Sequence, residues 1–253
     1  MINTVQKINY SRNILKKYLQ DEWNTSPIIN YSNEEIEKIY SSKHKNNIIN
    51  FGKASAFNIM LSHKNIPSHN LHIIYYNFPE LNSPPLKITK MCGEKMNSLY
   101  SSGIIEPEDS IILIILENVT ENIQTTIESL YKKGQEELIK NGLSDNIIEE
   151  NEKLNENKYN LEHFKNIHVF DINSLCFDIM EHVSVPKHEC IRNNSRKTEI
   201  FEMTNTTLNK LPIILRTDPV AKLLRMAPGD ICEITRKSER CGEYKFYRIC
   251  EQL

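Results

Sequence analysis

Apolar residues recur at helical spacing over residues 4–20, where Val5, Ile8, Leu15 and Leu19 fall near one face and Ile14 and Tyr18 widen it. A second helix is expected from Ser32, because Ser32-x-x-Glu35 has the form of a capping box and Ile36, Ile39 and Tyr40 supply a buried side. Residues 41–70 are polar and mixed, with Phe51, Phe57, Ile59, Met60 and Leu61 returning part of them to a core. The pattern then changes. LHIIYYNF over 71–78 reads as a strand, residues 88–101 as a helix carrying Met91, Met96 and Leu99 that ends by Gly103 and Pro107, and 110–116 as a continuous apolar strand. Such a run belongs to a strand covered on both faces, so the order strand, helix, strand, helix (122–133) predicts parallel pairing in an α/β layer.

From 134 to 160 the composition shifts to Asn, Glu and Lys, and acidic residues outnumber lysines. This predicts a solvated insertion on the surface of the first domain. Short strands are expected at 167–170 and 175–179, and Val185-Pro186 then imposes an extended turn, the candidate domain boundary. Beyond it come a helix over 192–203 and a short helix that Asp218 caps and Pro219 opens. Pro228-Gly229 makes a turn, and strands follow at 231–235 and 244–249. In the last strand Tyr244, Phe246 and Arg248 alternate with Lys245, Tyr247 and Ile249, so neither face is purely polar and protein is expected on both sides. The fold class is α/β and α+β: an N-terminal α/β domain with a mixed sheet over 1–180, which carries the insertion, then a small α+β domain over 181–253.

Composition changes this picture little. With 253 residues, 39% hydrophobic and 25% charged, the chain is ordinary for a soluble protein, and a formal net charge of −2 gives no global attraction to nucleic acid or an anionic membrane. No apolar run approaches the roughly 18–20 residues that span a bilayer, and no cleavable leader is expected. Six cysteines without a C-x-x-C pair argue for reduced thiols rather than a zinc ribbon or disulfide scaffold. Phosphate-cradling and hydrolase motifs are absent, and no cofactor is implied. His182, His188 and Cys190 have metal-like spacing without a fourth ligand, which favours hydrogen-bonded histidines. A Cys-His nucleophile, or a magnesium site at Glu117 and Glu121, lacks any further signal.

One ordered set of motifs is more specific. Leu211-Pro212, Asp218-Pro219-Val220-Ala221, Gly229, Arg236 to Glu239 with Ser238 among them, Gly242, Tyr244 and Tyr247-Arg248-Ile249-Cys250 follow an H-x-x-V-P-x-H motif at His182, Val185, Pro186 and His188. In this order and spacing they resemble the C-terminal assembly domain of the DNA-directed RNA polymerase subunit 5 family, a domain shared with the archaeal counterpart of that subunit. The resemblance implies a non-catalytic subunit that docks through these residues on the largest polymerase subunit. It also implies an N-terminal jaw beside downstream duplex DNA, other polymerase subunits as partners, no membrane and no homo-oligomer. The family loop that approaches DNA reads N-I-T-P; here it corresponds to Asn118, Val119, Thr120 and Glu121, with Lys87 and Lys90 nearby. A free-standing DNA-binding transcription adaptor and a nuclease remain as alternatives. The insertion and the Asn-, Ile- and Lys-rich composition fit a large DNA virus as well as a cell, hence a virion or cytoplasmic factory as well as a nucleus.

Overall fold

The computed structural model describes residues 3–42, 48–81, 83–84, 87–88, 91–238 and 242–252. They form two compact units, one of Met1–Ile147 with Phe164–Phe177 and one of Ile148–His163 with Asp178–Leu253.

The first unit opens with α1 (Thr4–Leu19) and α2 (Asn33–Ser41). The expected capping box of α2 is present: Glu35 N–H donates to the Ser32 hydroxyl, and Ser32 N–H donates to the Glu35 carboxylate at 2.8 Å. Strands β1 (Ile59–Ser62) and β2 (Asn70–Tyr76) follow, then α3 (Met91–Ser101), β3 (Ser110–Ile115), α4 (Glu121–Asn141), α5 (Asp145–Glu152) and β4 (Ile167–Asp171). The sheet order is β1-β2-β3-β4, with β1 antiparallel and the other pairs parallel, as the doubly covered apolar run requires. Every residue of β3 is buried. Ile111, Leu113 and Ile115 pack with Met96 of α3 and Ile127 of α4; Ile114 lies on the other face beside Tyr75, whose hydroxyl meets Ser11 of α1 at 2.9 Å.

Two expectations are corrected here. Residues 175–179 are not a strand. Asp171 and Asp178 accept the N–H groups of Ser174 and Met180 and so start single-turn helices at Ile172–Leu175 and Ile179–Glu181. Nor are residues 134–160 one solvated insertion on the first unit. Helix α4 runs on to Asn141 because Leu138 is buried and Gly134 leaves room for the Lys165 side chain, while 148–163 group with the second unit.

The second unit contains β5 (Lys187–Ile191), α6 (Asn194–Thr204), β6 (Ile213–Leu215), α7 (Pro219–Leu223), β7 (Ile231–Ser238) and β8 (Gly242–Glu251). Asp218 caps α7 as expected, its Oδ1 accepting from Val220 and Ala221. The sheet order is β5-β7-β8-β6; only the β6–β8 pair is parallel. Both faces are covered at one end, and by this chain itself. Cys232, Ile234 and Cys250 pack on Ala221 and Met226, whereas Ile231, Tyr247 and Ile249 pack on Ile200 and Leu211.

Candidate functional site

Strands β7 and β8 are longer than their neighbours. β5 reaches only to the level of Thr235 and β6 only to Ile249, so the rest of the hairpin projects beyond the four-stranded part. Most of the sequence-selected residues lie on this unit, but they do different things. Leu211, Val220, Ala221 and Tyr247 are buried in its own core and shape the surface from within. Pro212 offers its carbonyl to Ile249 N–H, and Gly229, at φ +87°, donates to the Cys250 carbonyl. His182, Pro219, Gly242 and Tyr244 are exposed; Val185, Pro186, His188, Asp218, Arg236, Ser238 and Arg248 are half-buried. Glu239 and, in the first unit, Lys90 lie outside the described residues.

The two faces of the projecting hairpin differ in charge. On one, Glu233 forms ion pairs with Lys245 at 2.5 Å and Arg196 at 3.4 Å, and Lys187 pairs with Glu189. A groove of about 880 Å³ opens here beside Val183, Ser184 and Val185. On the other, the register sets Arg236, Tyr244, Phe246 and Arg248 together, and the guanidinium carbons of Arg236 and Arg248 lie 5.1 and 5.5 Å from the Phe246 ring centre. Phe246 was absent from the sequence-selected set; its alternation with Tyr244 and Arg248 along β8 is the signal that marks it.

Gly242 ends the described part of the hairpin turn at φ +72°, and an added Cβ would meet nothing within 4 Å. The obstacle to a side chain is therefore the left-handed backbone, not space. Gly242→Val is expected to destabilise the hairpin by roughly 1–2 kcal/mol, read as faster hydrogen exchange in β7 and β8.

Below the sheet lies a buried ionic cluster the sequence did not announce. Asp230 is fully buried and takes His163 Nε2 at 3.1 Å, Arg192 Nε at 3.3 Å, Lys197 Nζ at 3.7 Å and the Ala227 N–H at 3.0 Å. Burial is the largest single influence and would raise its carboxyl. The charges of His163 and Arg192 and the hydrogen bonds from His163 and Ala227 together outweigh it, holding the group well below the usual carboxylate range. Tyr159, beneath the Arg192 guanidinium, is pushed up to about 12, chiefly by burial. This cluster fastens the 148–163 segment to the second unit.

Among the described residues, the two thiols nearest this cluster are held protonated. Burial raises the Cys232 thiol to about 12 and the Cys190 thiol well above its ordinary value, with Asp230 adding to the second. The metal-spaced trio engages separately: His182 Nδ1 accepts from Ser184 N–H, His188 Nδ1 donates to the Pro186 carbonyl, and Cys190 Sγ lies 3.6 Å from Asp230. In the first unit, Asn118, Thr120, Glu121 and Lys87 are exposed and Val119 is half-buried, but Thr120 is spent capping α4 by accepting from Ile123 N–H.

The profile of the RNA polymerase Rpb5 C-terminal domain matches residues 177–250. The chain is 41% identical over 73 residues to the DNA-directed RNA polymerase subunit Rpo5 of Pyrococcus abyssi, a stretch that covers 29% of this chain and 88% of that protein. To the subunit Rpo5 of Archaeoglobus fulgidus it is 40% identical over 73 residues, 29% of this chain and 95% of the relative. The chain belongs to the Rpb5 family. As an Rpb5-like chain it is a non-catalytic subunit of a multisubunit DNA-directed RNA polymerase. The Rpb5 match takes in β5 through most of β8 and leaves out the 148–163 segment that completes the Asp230 cluster. No helix among the described residues is long and apolar enough to cross a membrane.

Proposed function

We propose that the second unit is the assembly module through which this Rpb5-family chain docks on the largest polymerase subunit, and that the first unit forms part of the jaw beside downstream duplex DNA. The observation that carries the docking reading is the projecting β7–β8 hairpin, which exposes Tyr244 and sets the half-buried Arg236 and Arg248 about Phe246 at the edge of the unit's core. Arg and aromatic residues are the types enriched at the centres of protein interfaces. The surface members of the sequence-selected set then make the contact: His182, Val185, Pro186, His188, Arg236, Ser238, Tyr244 and Arg248. The buried Leu211, Val220, Ala221 and Tyr247 hold the strands that present them. The module runs from residue 181 to 253 and includes the 148–163 segment as a brace.

The jaw reading rests on the loop after β3. Asn118 and Thr120 are exposed there, yet Glu121 adds an acidic group at the start of α4, so any phosphate contact falls to Lys87 and its neighbours and is weak. Purification of the tagged chain from its native source tests the docking: recovery of the largest polymerase subunit in equal amount is expected, and recovery as a free monomer overturns it. Tight, salt-sensitive duplex binding by the isolated chain would favour the adaptor reading instead.

A further inference from the structure

The two sides of the projecting hairpin differ in how their charges are satisfied. Where Glu233 sits, cations and carboxylates pair within the chain. On the opposite side Arg236 and Arg248 have no carboxylate partner among the described residues. Arg248 gives one Nη to the Ile213 carbonyl, but its Nε–H is buried and finds no acceptor among the described residues. That Nε–H is already covered by this chain; what the face offers a partner is the Nη groups of the two arginines, of which only the one held by Ile213 has an acceptor among the described residues, beside Tyr244, which is 41% exposed. Asp218 is the nearby acid of this side. Its Oδ1 is committed to the first turn of α7, and its charge is felt at His188 together with those of Arg236 and Arg248.

We propose that the face carrying Arg236, Tyr244, Phe246 and Arg248 receives an acidic polypeptide segment of another polymerase subunit, whose carboxylates pair with the two guanidiniums while its apolar side chains cover Tyr244 and Phe246. The planar guanidinium fork matches a carboxylate in two parallel hydrogen bonds, and stacking on Phe246 holds both forks ready, which lowers the cost of ordering them. A nucleic-acid strand is the weaker fit. Its affinity grows with each phosphate neutralised, and this face has two arginines with Asp218 beside them rather than a continuing row of cations.

The inference rests on the docking reading, and one experiment separates their failures. A photoreactive phenylalanine replaces Tyr244 in the full chain within the assembled polymerase, and the cross-linked segment is sequenced. A protein segment with several Asp or Glu residues next to an apolar one is expected. A basic or uncharged segment, or a cross-link to DNA, overturns the inference while docking stands. In parallel, Arg236→Glu and Arg248→Glu are expected to lower recovery of the chain with polymerase by about tenfold each, with Lys140→Glu on the exposed side of α4 leaving it unchanged. If the arginine variants assemble as well as the wild type, the acidic-segment inference fails and the docking reading survives. If the wild type itself is not recovered with polymerase, the docking reading fails first. The Arg236 side chain is only half-buried and makes no hydrogen bond to another described residue. An unchanged melting temperature for Arg236→Glu therefore distinguishes lost docking from lost folding even if the Arg248 variant unfolds.

Discussion

Asp230→Ala is expected to destabilise the second unit by about 3–5 kcal/mol, the cost of leaving buried cations without their counter-charge. The substitution removes five contacts at once, from His163, Arg192, Lys197, the Cys190 thiol and the Ala227 N–H, in a site from which water is excluded. Hydrogen exchange in β5, β7 and β8 measures the loss, and equal protection in variant and wild type would refute it. Asp230→Asn adds the pH dependence. The folded carboxyl lies below its unfolded value of about 3.9, so its contribution is fully present above that value and is lost as pH falls towards the folded one. The share of the stability gap between wild type and Asp230→Asn that the carboxyl's own titration sets should be fully present above about pH 5 and narrow only in stronger acid. His163→Ala should cost less, and the double variant should cost less than the two singles added, because both act on one cluster.

Leu113→Ala is expected to cost the first unit about 2–5 kcal/mol. Leu113 is fully buried in the central strand, paired with Ile74 on one side and Val169 on the other, and closed over by α3 and α4. A fixed backbone ladder on both sides leaves little room for collapse, which puts the cost in the upper part of that range. Exchange should quicken in β2, β3 and β4. A loss below about 1 kcal/mol on chemical denaturation would show that the layer relaxes around the cavity.

Elements whose cause is local were legible from sequence. Ser32 and Glu35 cap α2, Asp218 caps α7, and the uninterrupted apolar run of β3 foretold a parallel strand buried on both sides. What sequence missed depends on distant partners. Asp171 and Asp178 turned an apolar strand-like stretch into single helical turns, and the acidic composition of 134–160 concealed two different fates. Composition reports average solvation, but Leu138, Tyr159 and His163 each have a specific burial to make. The candidate interface was half legible. Alternation along β8 showed that both faces would be covered, but not that α6 and α7 of the same chain do the covering at one end. Which charges remain unpaired on the projecting end depends on cross-strand register, which no short motif encodes.

The hydrogen bond between His163 and Asp230 also sets an order of events during synthesis. The chain passes from the first unit to the second at residue 148, returns at 164 to add β4, and leaves again at 178. His163 leaves the ribosome 67 residues before its carboxylate partner. At about 5–20 residues per second the delay is roughly 3–13 s, long enough for the β2–β3–β4 sheet to close first. During that interval the nascent segment holding Tyr159 and His163 has no place to dock, so the stretch around the first unit's last strand is where a chaperone or a protease would find this chain most open.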